Sequence, residues 1–471
     1  MTMHSLDGGL IELSDAQVTE FERRLRGELV TPSSPKYDDA RGLWNAMIDR
    51  RPALIARCAG TADVVEAVRF AKEHALLNSV KAGGHNIAGQ AICEDGLVID
   101  LSGMKGVWVH PANRSARAQA GCTLGCIDRE TQLHGLATVL GFVSTTGAAG
   151  VTVGGGFGYL TRKYGWTCDN LRAVEVVTAD GEVRTASKSE NADLFWAICG
   201  GGGNFGVVTS FEYDLYPLGP DVSAGAIAWR GEDAPKVLEF FRSFAAEAPA
   251  ELTCVLGLRL APPAPWLPKE MHGKPIALVI VCHSGSAEEG ERDLAPLKGF
   301  GAPIGDVVVR RPYTQQQALL DPTQPKGRRY YWKSDYLPGI DPESFPVLLE
   351  HFGRIASPHS AILLFQLEGA LNVLPEDQCA AGARDTKWVV NIAGSWELPD
   401  DDETNIAWAR TCWQDMHPFS TGSAYVNFMT EDEGADRILE GYGKNYTRLR
   451  ELKAKWDPNN LFRHNKNIPP L

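Results

Sequence analysis

Long apolar runs are missing from this chain. No stretch of its 471 residues approaches the roughly eighteen consecutive apolar residues of a membrane-spanning helix, so no membrane span is expected. The opening residues, Met1 to Leu10, offer neither a basic n-region nor an apolar h-region, so no signal peptide is expected either. Basic charge is short as well: 46 Lys and Arg stand against 59 Asp and Glu, a net charge of -13. Without a Lys/Arg run to build a basic face, nucleic acid and anionic membrane are poor partners. Two nucleotide-binding signatures are absent. No Gly-x-Gly-x-x-Gly passes from a strand into a helix with an acidic residue about twenty positions on. No Gly-Lys-Ser/Thr closes a Walker A loop, so neither a conventional nicotinamide site nor a triphosphate site is supported. The ten cysteines never adopt Cys-x-x-Cys spacing, and Cys122 and Cys126 are four apart. Buried free thiols in a reducing, cytoplasmic setting follow, with no metal expected.

What is present fits a globular protein with a sizeable core. The chain is 44% hydrophobic and 22% charged, and its length allows about two or three domains. Residues 11–50 read as polar and helical. An α/β pattern follows, with strands expected at Ala53–Arg57, Ser79–Lys81, Leu97–Leu101, Gly106–Val109 and Ser115–Ala120. Ala179-Asp180-Gly181 marks a hairpin between Ala173–Thr178 and Glu182–Thr185. The strand Val207–Leu215 precedes a boundary at Pro217 to Pro220. Beyond it, strands at Ala224–Arg230, Thr253–Leu260, Pro275–Cys282, Ala361–Leu367 and Trp388–Trp396 alternate with helices at Pro235–Ala246, Pro342–Ile355 and Thr404–Trp413. That order predicts one sheet with helices on one face and the other face free to roof a site. Tyr425–Phe428 reads as a last strand, and Tyr442–Lys455 as a basic amphipathic helix.

Glycine is where the sequence concentrates its chemistry. Lys81-Ala82-Gly83-Gly84-His85-Asn86 leaves a strand and carries two glycines. A second run goes from Thr145-Thr146-Gly147 through Gly150 to Gly154-Gly155-Gly156-Phe157-Gly158-Tyr159. Glycines let backbone approach a bulky anion with N–H groups aimed at it. Two such loops suit a ligand with a pyrophosphate and a long body, and His85 sits where that ligand lies.

These residues resemble the flavin domain of the vanillyl-alcohol-oxidase/p-cresol-methylhydroxylase (PCMH-type) superfamily, in its berberine-bridge-enzyme-like branch. So do Leu160-Thr161-Arg162-Lys163-Tyr164-Gly165, Asp169-Asn170-Leu171 and the run Ala197 to Val208. The end of the chain adds Tyr425-Val426-Asn427, Gly443 to Leu449 and Trp456 to Arg463. The resemblance spans nearly the whole chain and is weakest from about 220 to 380.

The resemblance implies an α+β fold: a PCMH-type two-part FAD-binding domain with an inserted substrate domain of antiparallel sheet covered by helices. Domain bounds are expected at 1–218 (core 48–218), 219–420 and 421–471, the last segment returning to the FAD domain. It implies FAD bound covalently through its 8α-methyl to His85 only. Many relatives add a cysteine link, but Val143 stands at that place here. Ala82, Gly83, Gly84, Asn86, Thr145, Thr146, Gly147, Gly150, Gly154, Gly155, Gly156, Gly158, Tyr159, Gly206, Val208, Asn427, Asn465 and Asn467 are the expected cofactor contacts. Thr146 falls where the family controls oxygen access, and a residue near valine in size favours oxidase over dehydrogenase. Tyr425 is the expected general base, with Asn427 two residues on sharing its strand face. An unperturbed tyrosine has a pKa of about 10, so a neighbouring cation must lower it, with Lys466, Lys333 and Arg384 as candidates. Relatives often carry Gln or His at Lys466.

Trp332, Gln366 and Trp396 are the candidate substrate residues, from a segment rich in aromatic side chains. The expected reaction takes hydride from a carbon bearing OH or NH of a small, ring-containing molecule, and O2 reoxidises the flavin to give H2O2. Three alternatives stay open: a dehydrogenase with another acceptor, an oligosaccharide oxidase, and a flavin-binding module without turnover. Oligomeric state is open too.

Overall fold

The computed structural model describes residues 1–471, and the three larger of its five sheets organise it. The first has four strands in the order Glu28–Val30, Leu54–Arg57, Leu97–Asp100, Asn78–Lys81. Its last three strands run parallel, and helix Thr61–Glu73 makes the crossover from Leu54–Arg57 to Asn78–Lys81. The second sheet is antiparallel, in the order Val183–Ser187, Leu171–Val177, Val207–Asp214, Ser115–Gln119, Val107–His110.

The third sheet is an eight-stranded antiparallel layer from the middle of the chain. Six of its strands, in order across the sheet, are Asp221–Arg230, Pro275–His283, Leu252–Leu260, Ala361–Gln366, Trp388–Trp396 and, at the edge, Arg329–Leu337. Side chains alternate across it with period two. Leu256, Ile362, Leu364, Val390 and Ile392 pack with Phe241, Leu348, Phe352 and Trp408 from helices Ala234–Glu247, Phe345–Gly353 and Asp402–Met416. Residues of opposite parity, such as Val255, Phe365 and Val389, join the larger core of the amino-terminal part. The one-sided covering predicted from the alternation of strands and helices is what folds.

Two local expectations need correction. The polar stretch 11–50 is not simply helical: helix Asp15–Arg24 is followed by the edge strand Glu28–Val30 and the short helix Tyr37–Arg41. Tyr425–Phe428 is not a strand, because Val426–Phe428 form a 3-10 turn with the Phe428 N–H donating to Tyr425 O at 2.9 Å. Val426 and Phe428 are partly buried and pack against the larger core at this turn.

The carboxy-terminal segment closes back on the amino-terminal part. Lys453 and Asp457 form a fully buried ion pair at 2.6 Å. The same ammonium donates to Asn204 O and Phe462 O. These carbonyls satisfy the donors that would otherwise make a buried charge costly. Ile468 N–H donates to Asn204 Oδ1 at 3.0 Å.

Candidate active site

One long cavity runs between the amino-terminal part, the bare face of the large sheet and the carboxy-terminal segment. It encloses about 330 Å³, within the roughly 300–1,000 Å³ of a small-ligand pocket. The first glycine loop leaves strand Asn78–Lys81 and lines it with Ala82 to Asn86. The second lines it with Thr146, Gly147, Gly150, Val151 and Val153 around helix Ala148–Val153. The two loops touch. A Cβ on Gly83 would lie 2.4 Å from Gly147 Cα, and one on Gly147 would lie 2.6 Å from Gly83 N, so neither position tolerates a side chain. Gly206, with φ +144°, carries the chain into strand Val207–Asp214 at the same wall. His464, Asn465 and Lys466 complete it, held by Gln90 Nε2 donating to Asn465 O and Asn204 Nδ2 donating to Lys466 O.

This cavity fits a long polar ligand. The polar atoms Ser79 Oγ, Gln90 Oε1 and Asn465 Oδ1 are buried on lining residues without a hydrogen-bond partner, a condition that proteins rarely leave uncompensated. A Cβ at Gly150 would meet nothing within 4 Å, so the backbone there is open to a ligand. No cysteine lines the cavity, and Val143 does.

His85 lies against Trp44, ring centroids 5.2 Å apart and 15° from parallel. Trp44 stacks in turn on Tyr330 of the large sheet at 3.6 Å. The pair is fixed by Asn45, which accepts from Tyr330 N–H at 3.0 Å and donates to Tyr330 O at 2.9 Å. Burial pushes the His85 imidazole down to about 4, so it is neutral at physiological pH and offers a lone pair. Trp332, Phe142, Phe157, Leu363, Phe365 and Phe428 form an aromatic and aliphatic box beyond it. Tyr425 sits in this box, 4.9 Å from Phe157 and 5.0 Å from Phe428.

Tyr425 and Asn427 do meet, though through a turn rather than along a strand: Asn427 Nδ2 donates to the Tyr425 hydroxyl at 2.8 Å. Burial raises the phenol well above its ordinary range, against the opposing pull of the Asn427 amide and the Gly156 N–H. The cations expected to lower it are engaged elsewhere. Lys333 pairs with Glu433, Arg384 with Asp169, and Lys466 Nζ donates to Thr430 O. Tyr425 is therefore a protonated phenol at neutral pH.

Among the remaining expected residues, Ala82, Gly83, Gly84, Asn86, Thr146, Gly147, Gly150, Gly206, Val208, Asn427, Asn465 and Trp332 line the cavity. Thr145 is exposed beside it. Gly154, Gly155, Gly156 and Gly158 lie behind the box: a Cβ on Gly154 would run into the Asn427 amide, and one on Gly158 into Leu140 O. Tyr159 is buried against Phe142, and Asn467 lies outside the lining. Gln366 and Trp396 face the helices instead. Gln366 Nε2 donates to Ala245 O at 2.6 Å, and Trp396 Nε1 to Asp402 Oδ1 at 2.6 Å. Their strand neighbours of opposite parity, Phe365 and Asn391, face the cavity. Trp44, Phe142, Phe428 and His464 were not anticipated; only His464, next to Asn465, carried a sequence signal.

Titratable charge is scarce here. No Asp, Glu or Arg lines the cavity, and Lys466 is its one lysine. Burial lowers that amine to about 8. As pH rises through 8 the cavity loses its ammonium, so the rate at which substrate reduces the bound cofactor is expected to show a limb there. Stopped-flow pH profiles of Lys466→Met should lack that limb; its persistence would assign the titration elsewhere.

These features define an FAD-linked oxidoreductase. A family model described as FAD binding domain matches residues 52–187, and one described as berberine and berberine like matches residues 424–469. An FAD-linked oxidoreductase of Dictyostelium discoideum is 30% identical over 459 residues, 96% of this chain and 97% of the relative. The (R)-6-hydroxynicotine oxidase of Paenarthrobacter nicotinovorans is 32% identical over 465 residues, 95% of this chain and 97% of that protein. The crystal structure of 6-hydroxy-D-nicotine oxidase from Arthrobacter nicotinovorans superposes with a TM-score of 0.86 at 28% identity, covering 98% of this chain and 100% of that one. The chain belongs to the PCMH-type, berberine-bridge-enzyme-like FAD-linked oxidoreductases. No helix is long and apolar enough to cross a membrane.

Proposed function

We propose that this chain is an oxidase that removes hydride from a carbon bearing OH or NH of a small, neutral, ring-containing molecule and passes the electrons to O2. One observation carries the reading: an aromatic box holding Tyr425 and Asn427 opens onto a long cavity lined by the two glycine loops and His85, without a carboxylate or a guanidinium. FAD, when bound, supplies the hydride acceptor and the route to H2O2. His85, neutral and held by Trp44, is its single covalent tether, since Val143 cannot form a second. Asn465, with its buried carbonyl unpartnered, is a polar contact to the cofactor. We take 1–218, 219–420 and 421–471 as the structural units, and a cytoplasmic setting as suited to ten unpaired thiols.

The walls exclude water and favour flat apolar rings. A charged acid has no guanidinium to meet it, and the box offers few polar groups for a chain of sugars. The protonated state of Tyr425 separates alcohols from amines. A neutral amine already has the lone pair that drives hydride loss. An alcohol needs its proton removed, and Tyr425 can accept it only as the phenolate, the form that the Asn427 amide and the Gly156 N–H stabilise. Tyr425→Phe is therefore expected to slow alcohol oxidation by about 10²–10⁴-fold, the usual worth of a positioned base, and amine oxidation by much less.

Anaerobic screening of ring-bearing amines, alcohols and sugars for bleaching of the oxidised flavin band tests the reading. Oxygen uptake during turnover then separates oxidase from dehydrogenase. If no compound bleaches the band, catalysis itself is refuted; rapid bleaching with negligible oxygen uptake would refute O2 as acceptor.

A further inference from the structure

Away from the cavity, one cluster of nucleophilic side chains bridges the amino-terminal part and the large sheet's domain. Cys168 lies in the turn Thr167–Asn170, and Cys379 follows the turn Glu376–Gln378. Their sulfurs are 3.9 Å apart, and a carboxylate oxygen of Asp169 completes a group with the ligand types of a metal site. A metal does not suit it. The Arg384 guanidinium already occupies the cation's place, donating to both Asp169 oxygens at 2.7 and 2.6 Å and to Cys379 Sγ at 3.1 Å. A second cation there would meet that fixed charge at contact distance.

We propose that Cys168 and Cys379 are a peroxide-sensitive pair that closes to a disulfide when H2O2 reaches them. The sulfurs must close from 3.9 Å to about 2.05 Å, a distance that side-chain rotation and small backbone shifts can span. The two cysteines have different roles. Cys379 carries the guanidinium donor and follows Pro375, Glu376 and Asp377, all exposed, so it lies just beneath the surface. Both thiols are buried, and burial holds that of Cys168 well above the ordinary range. The Arg384 donor 3.1 Å from Cys379 Sγ makes Cys379 the nucleophile, because a neighbouring cation stabilises the charge as its proton leaves.

The Cys379 sulfur attacks one peroxide oxygen, forming S–O and breaking O–O, and its proton joins the departing hydroxide as water. Cys168 sulfur then attacks the sulfenic sulfur, forming S–S and breaking S–O. Water departs with the Cys168 proton. Two electrons pass from the sulfurs to peroxide, and two thiols plus H2O2 become one disulfide plus two waters. The oxidant is the by-product of the oxidase reaction proposed above. The physiological role rests on that reading, whereas the thiol chemistry does not.

The pair is wired to the active site. Thr167 N–H donates to Gly156 O at 2.8 Å and Cys168 N–H to Gly155 O at 2.9 Å, and Trp166 lies parallel to Tyr425, 6.4 Å away. A bond at Cys168 would tie the turn that supports Tyr425 to the substrate-side domain.

The test treats purified holoprotein with added H2O2, then counts thiols after denaturation and maps cross-linked peptides. The expected result is a fall from ten free thiols to eight, one Cys168–Cys379 peptide, and full reversal by dithiothreitol. In Cys168→Ser, the reaction should stop at a dimedone-trapped sulfenic acid on Cys379. Unchanged thiols would overturn the proposal, as would a link from Cys379 to Cys199, the third thiol in range, or a sulfenic acid formed first on Cys168. Because the peroxide is added, a protein that forms the link yet consumes no oxygen would refute the oxidase reading and leave the pair intact.

Discussion

With His85 replaced by alanine, acid precipitation of the holoprotein is expected to leave a colourless pellet under a yellow supernatant, where the parent keeps its colour in the pellet. The imidazole is the one nucleophile in the glycine-loop wall of the cavity, and burial keeps it unprotonated at neutral pH. With Val143 and no cysteine in the cavity lining, no second attachment is expected to hide its loss. The fold should survive, since the His85 ring makes no hydrogen bond of its own and its chief contact is the face of Trp44. The effect belongs to the cofactor's reactivity. Losing the covalent bond lowers the reduction potential, and each 30 mV or so shifts a two-electron equilibrium about tenfold. A colourless pellet with the potential lowered in parallel is the expected pair of readings. A yellow pellet from His85→Ala would place the bond elsewhere.

Gly83→Ala should be more damaging. Its methyl would sit 2.4 Å from Gly147 Cα and 2.5 Å from Gly147 N. Those are backbone atoms of the opposing loop and cannot swing aside as a side chain would. The two loops must separate, at about 1–3 kcal/mol for overpacking. The same displacement opens the amide-lined cleft, so the protein is expected to purify without flavin and to melt earlier. Gly150→Ala makes the control. Its methyl meets no protein atom within 4 Å and lies in helix Ala148–Val153, where alanine is the better residue. Stability should hold or rise while flavin loading falls, because the new methyl enters the ligand's space. Should Gly83→Ala retain bound flavin, the close approach of the loops would not be what builds the site.

The sequence made the loops legible because glycine runs and a histidine beside a strand end leave a local mark. It made the large sheet legible through the alternation of strands and helices. Parity within that sheet was the harder matter. Gln366 and Phe365 are adjacent on one strand, and both faces of that strand are buried, one under helices and one over the cavity. Hydrophobicity then alternates too weakly to tell the faces apart, and the polar Gln366 was read as a pocket residue when it serves a helix carbonyl. Trp44 was invisible for another reason: its role comes from stacking on Tyr330, a contact across nearly three hundred positions that no local window holds. Tyr425 and Asn427 were paired through the wrong geometry. A two-residue offset fits a strand, but a tight turn brings the same atoms together.

The cavity wall of His464, Asn465 and Lys466 is pinned to Gln90 and Asn204, and this has a consequence for biosynthesis. The ribosome makes the His85 loop early and that wall hundreds of residues later, with the whole substrate-side domain in between. A nascent chain thus offers a half-built cleft through most of translation. Flavin capture, and with it the proposed bond to His85, must wait for the last wall to dock, so tethering should lag behind synthesis and fail in chains truncated before Asn465.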